Sequence, residues 1–113
     1  MIITCNRIPV NPEHAAAFEQ TFADRASLVD GMPGFIAFQL LRPLKEGDPY
    51  IVMTFWESEA HFKGWTESPE FKEGHARSGT LPSGTFAGHP KLELHEVIQS
   101  TLKIERSVQN RGV

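Results

Sequence analysis

The sequence predicts an α+β domain with a ferredoxin-like, split βαβ arrangement and an antiparallel sheet. Segments typical of strands and helices follow one another in the order strand, helix, strand, strand, helix, strand. The chain is also only 113 residues long, which suits one domain of this kind. We therefore expect one domain over residues 1–100, followed by a C-terminal tail over residues 101–113.

The first half of the domain is predicted to contain a strand, a helix and a second strand. Ile2–Ile8 alternates with period two, as a half-buried strand does. Asn11 then precedes Pro12, which places a capping side chain before a helical position that tolerates proline. Apolar residues recur at helical spacing up to about residue 30, where a glycine- and proline-rich turn ends the helix. Residues 35–42 form the second predicted strand.

The second half is predicted to begin with a strand and two short helices. Tyr50–Trp56 is rich in β-branched and aromatic residues and follows a polar hairpin loop. Ser58 and the pair Ser68-Pro69 are signals for helix starts. The two helices are expected over residues 59–67 and 69–77.

The remainder of the domain is predicted to be a loop and a last strand. Residues 79–90 contain glycine, proline and small polar residues without a helical or strand period. Residues 91–99 alternate again, with Leu92, Leu94 and Ile98 on one face. This segment completes a four-stranded sheet.

Composition and charge exclude several functions. The 11 basic and 14 acidic side chains give a net charge of −3 and form no basic stripe, so nucleic acid and an anionic membrane are not expected as partners. Cys5 has no second cysteine to pair with, and the first ten residues lack a basic and apolar leader, which favours the cytoplasm. No phosphate-binding loop, nucleophile elbow or CxxC motif is present, which excludes nucleotide-binding and hydrolase functions.

The second predicted strand carries apolar side chains on both faces. Its alternation places Phe35, Ala37 and Leu41 on one face, and Ile36, Phe38 and Leu40 on the other. A split βαβ sheet has helices on one face only, and no sequence remains to cover the second face. A second copy of the chain, packed sheet on sheet, would cover it, so we predict a homodimer.

Three residues are candidates for a functional site. Asn6 falls among the core-facing residues of strand 1, where it either ties down a loop backbone or presents its amide to a ligand. His75 lies near the end of the last predicted helix, where it is either a partner of the helix dipole or a ligand-binding residue. Trp65 ends the preceding helix and is by pattern a core residue. A lone histidine without a cysteine or carboxylate cluster does not predict a zinc site.

Several short motifs together resemble the antibiotic biosynthesis monooxygenase superfamily of dimeric α/β barrels, and within it the IsdG-like haem-degrading monooxygenases. The motifs are Cys5-Asn6-Arg7-Ile8, Pro33-Gly34-Phe35, the run Thr-Phe-Trp-Glu-Ser at residues 54–58, Trp65 and Gly74-His75-Ala76-Arg77. The resemblance covers about residues 1–100 and implies that His75 is the axial ligand of haem iron. It also implies that Asn6 donates to the oxygen ligand and that Trp65 crowds the porphyrin. Phe22 and Arg25 match distal-side positions, as a wall and a polar partner.

The resemblance implies that haem is both substrate and cofactor. O₂ and electrons from an external donor, supplied by a separate reductase, would open the porphyrin ring at a meso carbon and release iron and a bilin-like product. Residues 79–90 would then be a lid over the site. Three alternatives remain: a cofactor-less monooxygenase of a phenolic or quinol polyketide, a non-catalytic haem-binding protein, and a structural dimer without a ligand.

Overall fold

The computed structural model describes residues 1–78 and 81–102, without the side chains of residues 24–27, 77 and 78. Its seven elements confirm the predicted α+β class and element order. They are β1 (Ile2–Ile8), α1 (Ala15–Val29), β2 (Phe35–Leu41), β3 (Tyr50–Trp56), α2 (Glu59–Thr66), α3 (Pro69–Ser78) and β4 (Lys91–Glu96). No helix in this part of the chain is long and apolar enough to cross a bilayer. Most of the predicted tail, residues 103–113, lies outside the described residues.

The two largest differences between predicted and observed boundaries have local reasons. A short 3-10 turn over Pro12–His14 precedes α1, and Asn11 makes no capping hydrogen bond to it. Instead, the Asn11 side chain donates to the carbonyl of Gly84, 2.5 Å away. β4 ends at Glu96 rather than near residue 99, because Glu96 pairs with Ile2, the first residue of its only partner strand.

The four strands form one antiparallel sheet in the order β2-β3-β1-β4. The alternation predicted for β1 is confirmed by the burial of Thr4 and Ile8 on the face that the helices cover. Asn6 shares that face and lies between Val52 on β3 and Leu92 on β4. The opposite face of the sheet is called the outer face below.

The predicted alternation of β2 is wrong at Phe35. Phe35 pairs with Trp56 and Ala37 pairs with Phe55, so a β-bulge adds one residue to β2 between them. Phe35 therefore points to the helix-covered face, where its ring meets the Trp56 ring edge-on at a centroid distance of 5.6 Å. Ala37 and Leu41 share a face, as predicted, and it is the outer face.

The hydrophobic core between the sheet and the helices is divided into two clusters. The first contains Ile8, Phe18, Phe22 and Tyr50 and holds α1 against the sheet. The second contains Val29, Trp56, Phe62 and Trp65, with Phe71 packed against it, and holds α2 and α3. Two separate clusters leave room between them for a cavity.

A close contact at Gly34 joins the start of β2 to α2. Gly34 has a φ of +77°, and a Cβ atom there would come within 2.2 Å of the His61 ring. The Gly34 carbonyl also accepts a hydrogen bond of 2.9 Å from the backbone N–H of Glu57. Both the conformation and the contact require glycine.

Hydrogen bonds from Arg42 and Tyr50 to Glu19, called the Glu19 clamp below, hold α1 against the sheet beside the first cluster. Arg42 donates two hydrogen bonds, of 2.8 and 2.6 Å, to the carboxylate of Glu19 on α1, and the Tyr50 hydroxyl donates to the same carboxylate. These donors, Arg42 first, lower the pKa of Glu19 to about 2 from its usual 4.5. Burial and the Glu19 carboxylate raise the pKa of Tyr50.

The Glu19 clamp makes folding stability sensitive to acid. A carboxylate with a lowered pKa in the folded state stabilises the protein above pH 4.5, and this contribution is lost as the pH falls to about 2. We predict that the unfolding free energy of E19Q and R42Q falls less between pH 5 and about 2.5 than that of the wild type. Denaturant unfolding at these pH values measures the difference. Equal losses in all three proteins would contradict the assignment.

Candidate functional site

A cavity of about 430 Å³ lies between the two core clusters. Its floor is the helix-covered face of the sheet, and its walls come from the helices and from the segment before β4. The floor consists of Thr4, Asn6, Ile8, Val52, Thr54 and Leu92. The walls include Phe18, Phe22, Phe62, Trp65, Phe71 and His75, with Phe86 and Pro90 at the edge. Pockets of roughly 300–1,000 Å³ with mostly apolar walls are typical of small-molecule sites.

Asn6 supplies an unsatisfied polar group to the floor. Its Oδ1 atom is buried and has no hydrogen-bond partner among the described residues. A buried, unpaired amide oxygen costs free energy unless a ligand or water satisfies it. A side-chain hydrogen bond to a loop backbone is made nearby by Asn11, which donates to the Gly84 carbonyl. The Asn6 amide is therefore free at its oxygen to meet a molecule in the cavity.

Two threonines extend the polar part of the floor. Thr4 and Thr54 are opposite each other in the β1–β3 ladder, and their hydroxyl oxygens are 2.5 Å apart. The Trp56 indole N–H donates a 2.8 Å hydrogen bond to the Thr54 hydroxyl. Both threonines are almost fully buried and both line the cavity.

His75 supplies an imidazole to the wall on the α3 side. Its Nδ1 atom lies 3.2 Å from the Phe71 carbonyl oxygen, one helical turn earlier. Because a carbonyl only accepts hydrogen bonds, this contact places the hydrogen of the neutral ring on Nδ1 and the lone pair on Nε2. A backbone carbonyl that fixes the tautomer in this way is typical of histidines that bind a metal.

Trp65 serves both as a core residue and as a wall of the cavity. Its ring stacks on Trp56 at a centroid distance of 6.5 Å and meets Phe71 edge-on at 5.3 Å. Phe71 in turn lies 4.1 Å from the His75 ring. The site wall is therefore one end of a continuous series of aromatic contacts that begins in the second core cluster.

Of the two remaining predicted site residues, one lines the cavity and the other has a side chain outside the described residues. Phe22 is buried on α1, lines the cavity and stacks on Phe38 at 6.2 Å. The side chain of Arg25 lies outside the described residues. His75 is the only titratable side chain that the described part of the chain places in the cavity lining. The described lining therefore contains no carboxylate, lysine or arginine side chain, and a hydrogen bond formed in such apolar surroundings is stronger than one in water.

The segment before β4 forms a fixed wall over part of its length. Backbone hydrogen bonds of 2.8 and 3.0 Å connect Thr85 to Asn11 and Ala87 to Pro9. Between these anchors, Phe86 lines the cavity and meets Phe18 edge-on at 6.1 Å. The loop prediction gave no role to Phe86, because nothing in the local sequence reveals the pairing of this segment with residues 9–11.

Over the residues that the structure describes, the geometry supports neither a nucleophilic cysteine nor a metal site made of several protein side chains. Cys5 lies on the outer face, away from the cavity, and burial raises the pKa of its thiol, which disfavours the nucleophilic thiolate. Within the described residues, no group of three or more histidine, cysteine, aspartate or glutamate side chains is placed to hold a metal ion.

The chain is similar in sequence to proteins that are named as oxygenases. The sequence model described as "Antibiotic biosynthesis monooxygenase" matches residues 1–77. A "Heme oxygenase (mycobilin-producing)" of Mycobacterium tuberculosis is 37% identical over 93 residues, which cover 82% of this chain and 88% of the relative. A "Heme-degrading monooxygenase" of Bacillus thuringiensis is 30% identical over 84 residues, which cover 73% and 78%.

Solved structures share the fold. A variant of the haem degrader MhuD, crystallised with two manganese protoporphyrin IX molecules in each active site, superposes with a TM-score of 0.75 at 32% identity, covering 91% of this chain and all of that one. SnoaB, a cofactor-independent oxygenase from Streptomyces nogalater, superposes with a TM-score of 0.72 over 90% of this chain and 97% of its own. At 22% identity, SnoaB shows the fold alone.

The hydrogen-bonded threonines predict unequal effects of two similar substitutions. Thr54→Val leaves the fully buried Trp56 N–H without an acceptor, so we expect a loss of about 1–3 kcal/mol in unfolding free energy. Thr4→Val keeps that acceptor and should cost about 1 kcal/mol. Urea unfolding of both variants measures the difference, and an equal or reversed order would contradict the hydrogen-bond chain.

Proposed function

Because the chain belongs to the antibiotic biosynthesis monooxygenase family, we propose that it is a haem-degrading monooxygenase. It binds haem in the cavity and opens the porphyrin ring with O₂ and external electrons, releasing iron and a bilin-like product. The observation that carries the proposal is the arrangement of one cavity, with the His75 imidazole in a wall and the unpaired Asn6 amide in the floor.

The chemistry of the lining residues fits haem. The aromatic and aliphatic walls suit a flat apolar macrocycle, and a neutral imidazole with its lone pair on Nε2 suits iron. The orphaned Asn6 oxygen belongs to a carboxamide, which can rotate and present an N–H donor in its place. The cavity therefore offers an iron ligand, an apolar slot and a polar group for a small oxygen ligand.

Each protein group has a separate task in the proposed reaction. His75 holds the substrate through its iron, and the Phe71 carbonyl keeps the ring in the binding tautomer. Asn6 on the floor would orient a small oxygen ligand, and Trp65 on α2 would pack against the macrocycle, since both line the cavity. Phe22 closes the α1 side, and Arg25 is proposed as a polar partner on the same helix. Haem itself supplies the iron, the redox chemistry and the carbon that is oxidised.

We also propose that the working form is a cytoplasmic homodimer that receives electrons from a separate reductase. The outer face carries a row of half-buried apolar side chains, among them Ile3, Met53, Ile51 and Ala37. A second copy packed on this face would remove them from water, as sheet-on-sheet interfaces do. The lone cysteine favours a reducing compartment.

The function is tested by titrating hemin into wild type, H75A and the control H14A, then adding ascorbate in air. We expect wild type and H14A to give a Soret band that bleaches into bilin-like absorbance. H75A loses the iron ligand, so its hemin affinity should fall at least roughly tenfold, without bleaching. Stable hemin binding without bleaching would favour a haem carrier. Absence of hemin binding would contradict the proposal and favour a phenolic substrate.

The dimer is tested by placing a charge in the middle of the outer face. M53E buries an unpaired carboxylate in the proposed interface and should convert the dimer into a monomer. Q20E, a new carboxylate at an exposed position of α1, should stay dimeric. Light scattering at micromolar concentration measures the mass, and a monomeric wild type would contradict the prediction.

A further inference from the structure

The two buried threonines have one hydroxyl hydrogen that their own hydrogen bonds do not use. Each hydroxyl carries one hydrogen and can accept two. One of the two hydrogens lies between Thr4 and Thr54, and the Trp56 indole supplies its own to Thr54. Whichever threonine donates to the other, one hydroxyl hydrogen remains available on the cavity floor.

The surroundings of the two hydroxyls favour Thr4 as the group that carries that hydrogen. A hydroxyl that accepts a hydrogen bond becomes a better donor, so the chain runs from the Trp56 N–H through Thr54 to Thr4. In the opposite order the free hydrogen would belong to Thr54, whose other same-face neighbours are Val52 and Trp56 on β3 and Phe38 on β2, and none of these side chains offers an acceptor. Along β1, the corresponding neighbour of Thr4 is Asn6.

A donor and an acceptor therefore lie side by side on β1. The Oδ1 atom of Asn6 is buried and unpaired, and Thr4 is two residues away on the same face. Same-face neighbours on a strand are about 7 Å apart at their Cα atoms, whereas one oxygen atom that makes two hydrogen bonds of about 2.8 Å spans at most about 5.6 Å. The site therefore requires the two side chains to lean towards each other. Water suits this arrangement, because it can accept from the hydroxyl and donate to the amide oxygen. A ligand that only accepts would meet the Asn6 N–H group once the carboxamide has rotated.

We propose that Thr4, supported by Thr54 and Trp56, forms with Asn6 a binding site for one small oxygen species on the cavity floor. In the haem-free protein the occupant is a water molecule. In the haem complex, and here the inference depends on the proposed function, the Thr4 hydroxyl is a positioning group for a small ligand on the sheet side of the iron. In the haem complex Thr4 would thus be a second polar group, beside Asn6, that contacts the small ligand.

The haem-free site is tested by high-resolution crystal structures of wild type, T4V and T4S. We expect an ordered water within hydrogen-bond distance of both Thr4 Oγ1 and the Asn6 amide in wild type. T4S keeps the hydroxyl and should keep the water, whereas T4V should lose it. A wild-type structure without a shared water, or a T4V structure that retains it in place, would overturn the site.

The role in the haem complex is tested by the affinity of azide for the ferric hemin complex. Losing one hydrogen bond to the ligand should weaken azide binding roughly three- to tenfold in T4V. T4S should restore it, and the control T21V removes a threonine hydroxyl that bonds within α1 and should have no effect. Hemin affinity should stay within about twofold in all variants.

The outcomes separate the two proposals. Unchanged azide affinity in T4V, or equal loss in T4V and T21V, overturns the role of Thr4 while hemin binding by wild type leaves the proposed function intact. Failure of wild type to bind hemin contradicts the proposed function, and the crystal structures still decide whether the floor holds an oxygen species. A loss of azide affinity in T4V that T4S repairs supports the inference.

Discussion

The alternation of β1 is the constraint on which the site depends. It places Thr4 and Asn6 on the face that the helices cover, so polar groups stand where an ordinary core would have aliphatic side chains. The protein accommodates them by dividing its core into two apolar clusters with a cavity between them. The neighbouring threonine on β3 satisfies one of these groups, while the amide keeps an unused oxygen. The cavity and its polarity thus share one origin in the order of residues along a single strand.

Aromatic contacts connect the centre of the fold to His75. Trp56 is fully buried, Trp65 and Phe71 follow, and His75 stands at the exposed end. Each ring restricts the next, so an exposed imidazole on a short helix acquires a defined position. The helix end alone would not fix the position of the imidazole, because the last turn of an exposed helix has few buried neighbours.

Local patterns predicted the elements and the residues within them, whereas contacts between distant segments escaped them. Period-two alternation was enough to place Asn6 on the covered face, and serine caps were enough to divide α2 from α3. The bulge beside Phe35 reversed the predicted face, because strand register depends on the partner strand. The partnership of Thr4 with Thr54, fifty residues apart, and the seating of Phe86 also depend on pairings that no local motif encodes.

The contact at Gly34 shows that the shape of the cavity depends on a residue that does not line it. Gly34 lies outside the cavity lining, yet its missing side chain lets the His61 ring, and with it the first turn of α2, lie against the turn before β2. Trp65 lies one turn further along the same helix, so its position depends on how α2 packs at Gly34. A random mutagenesis screen for loss of the pocket would therefore recover substitutions of this glycine. The list of residues that line the pocket would not explain them.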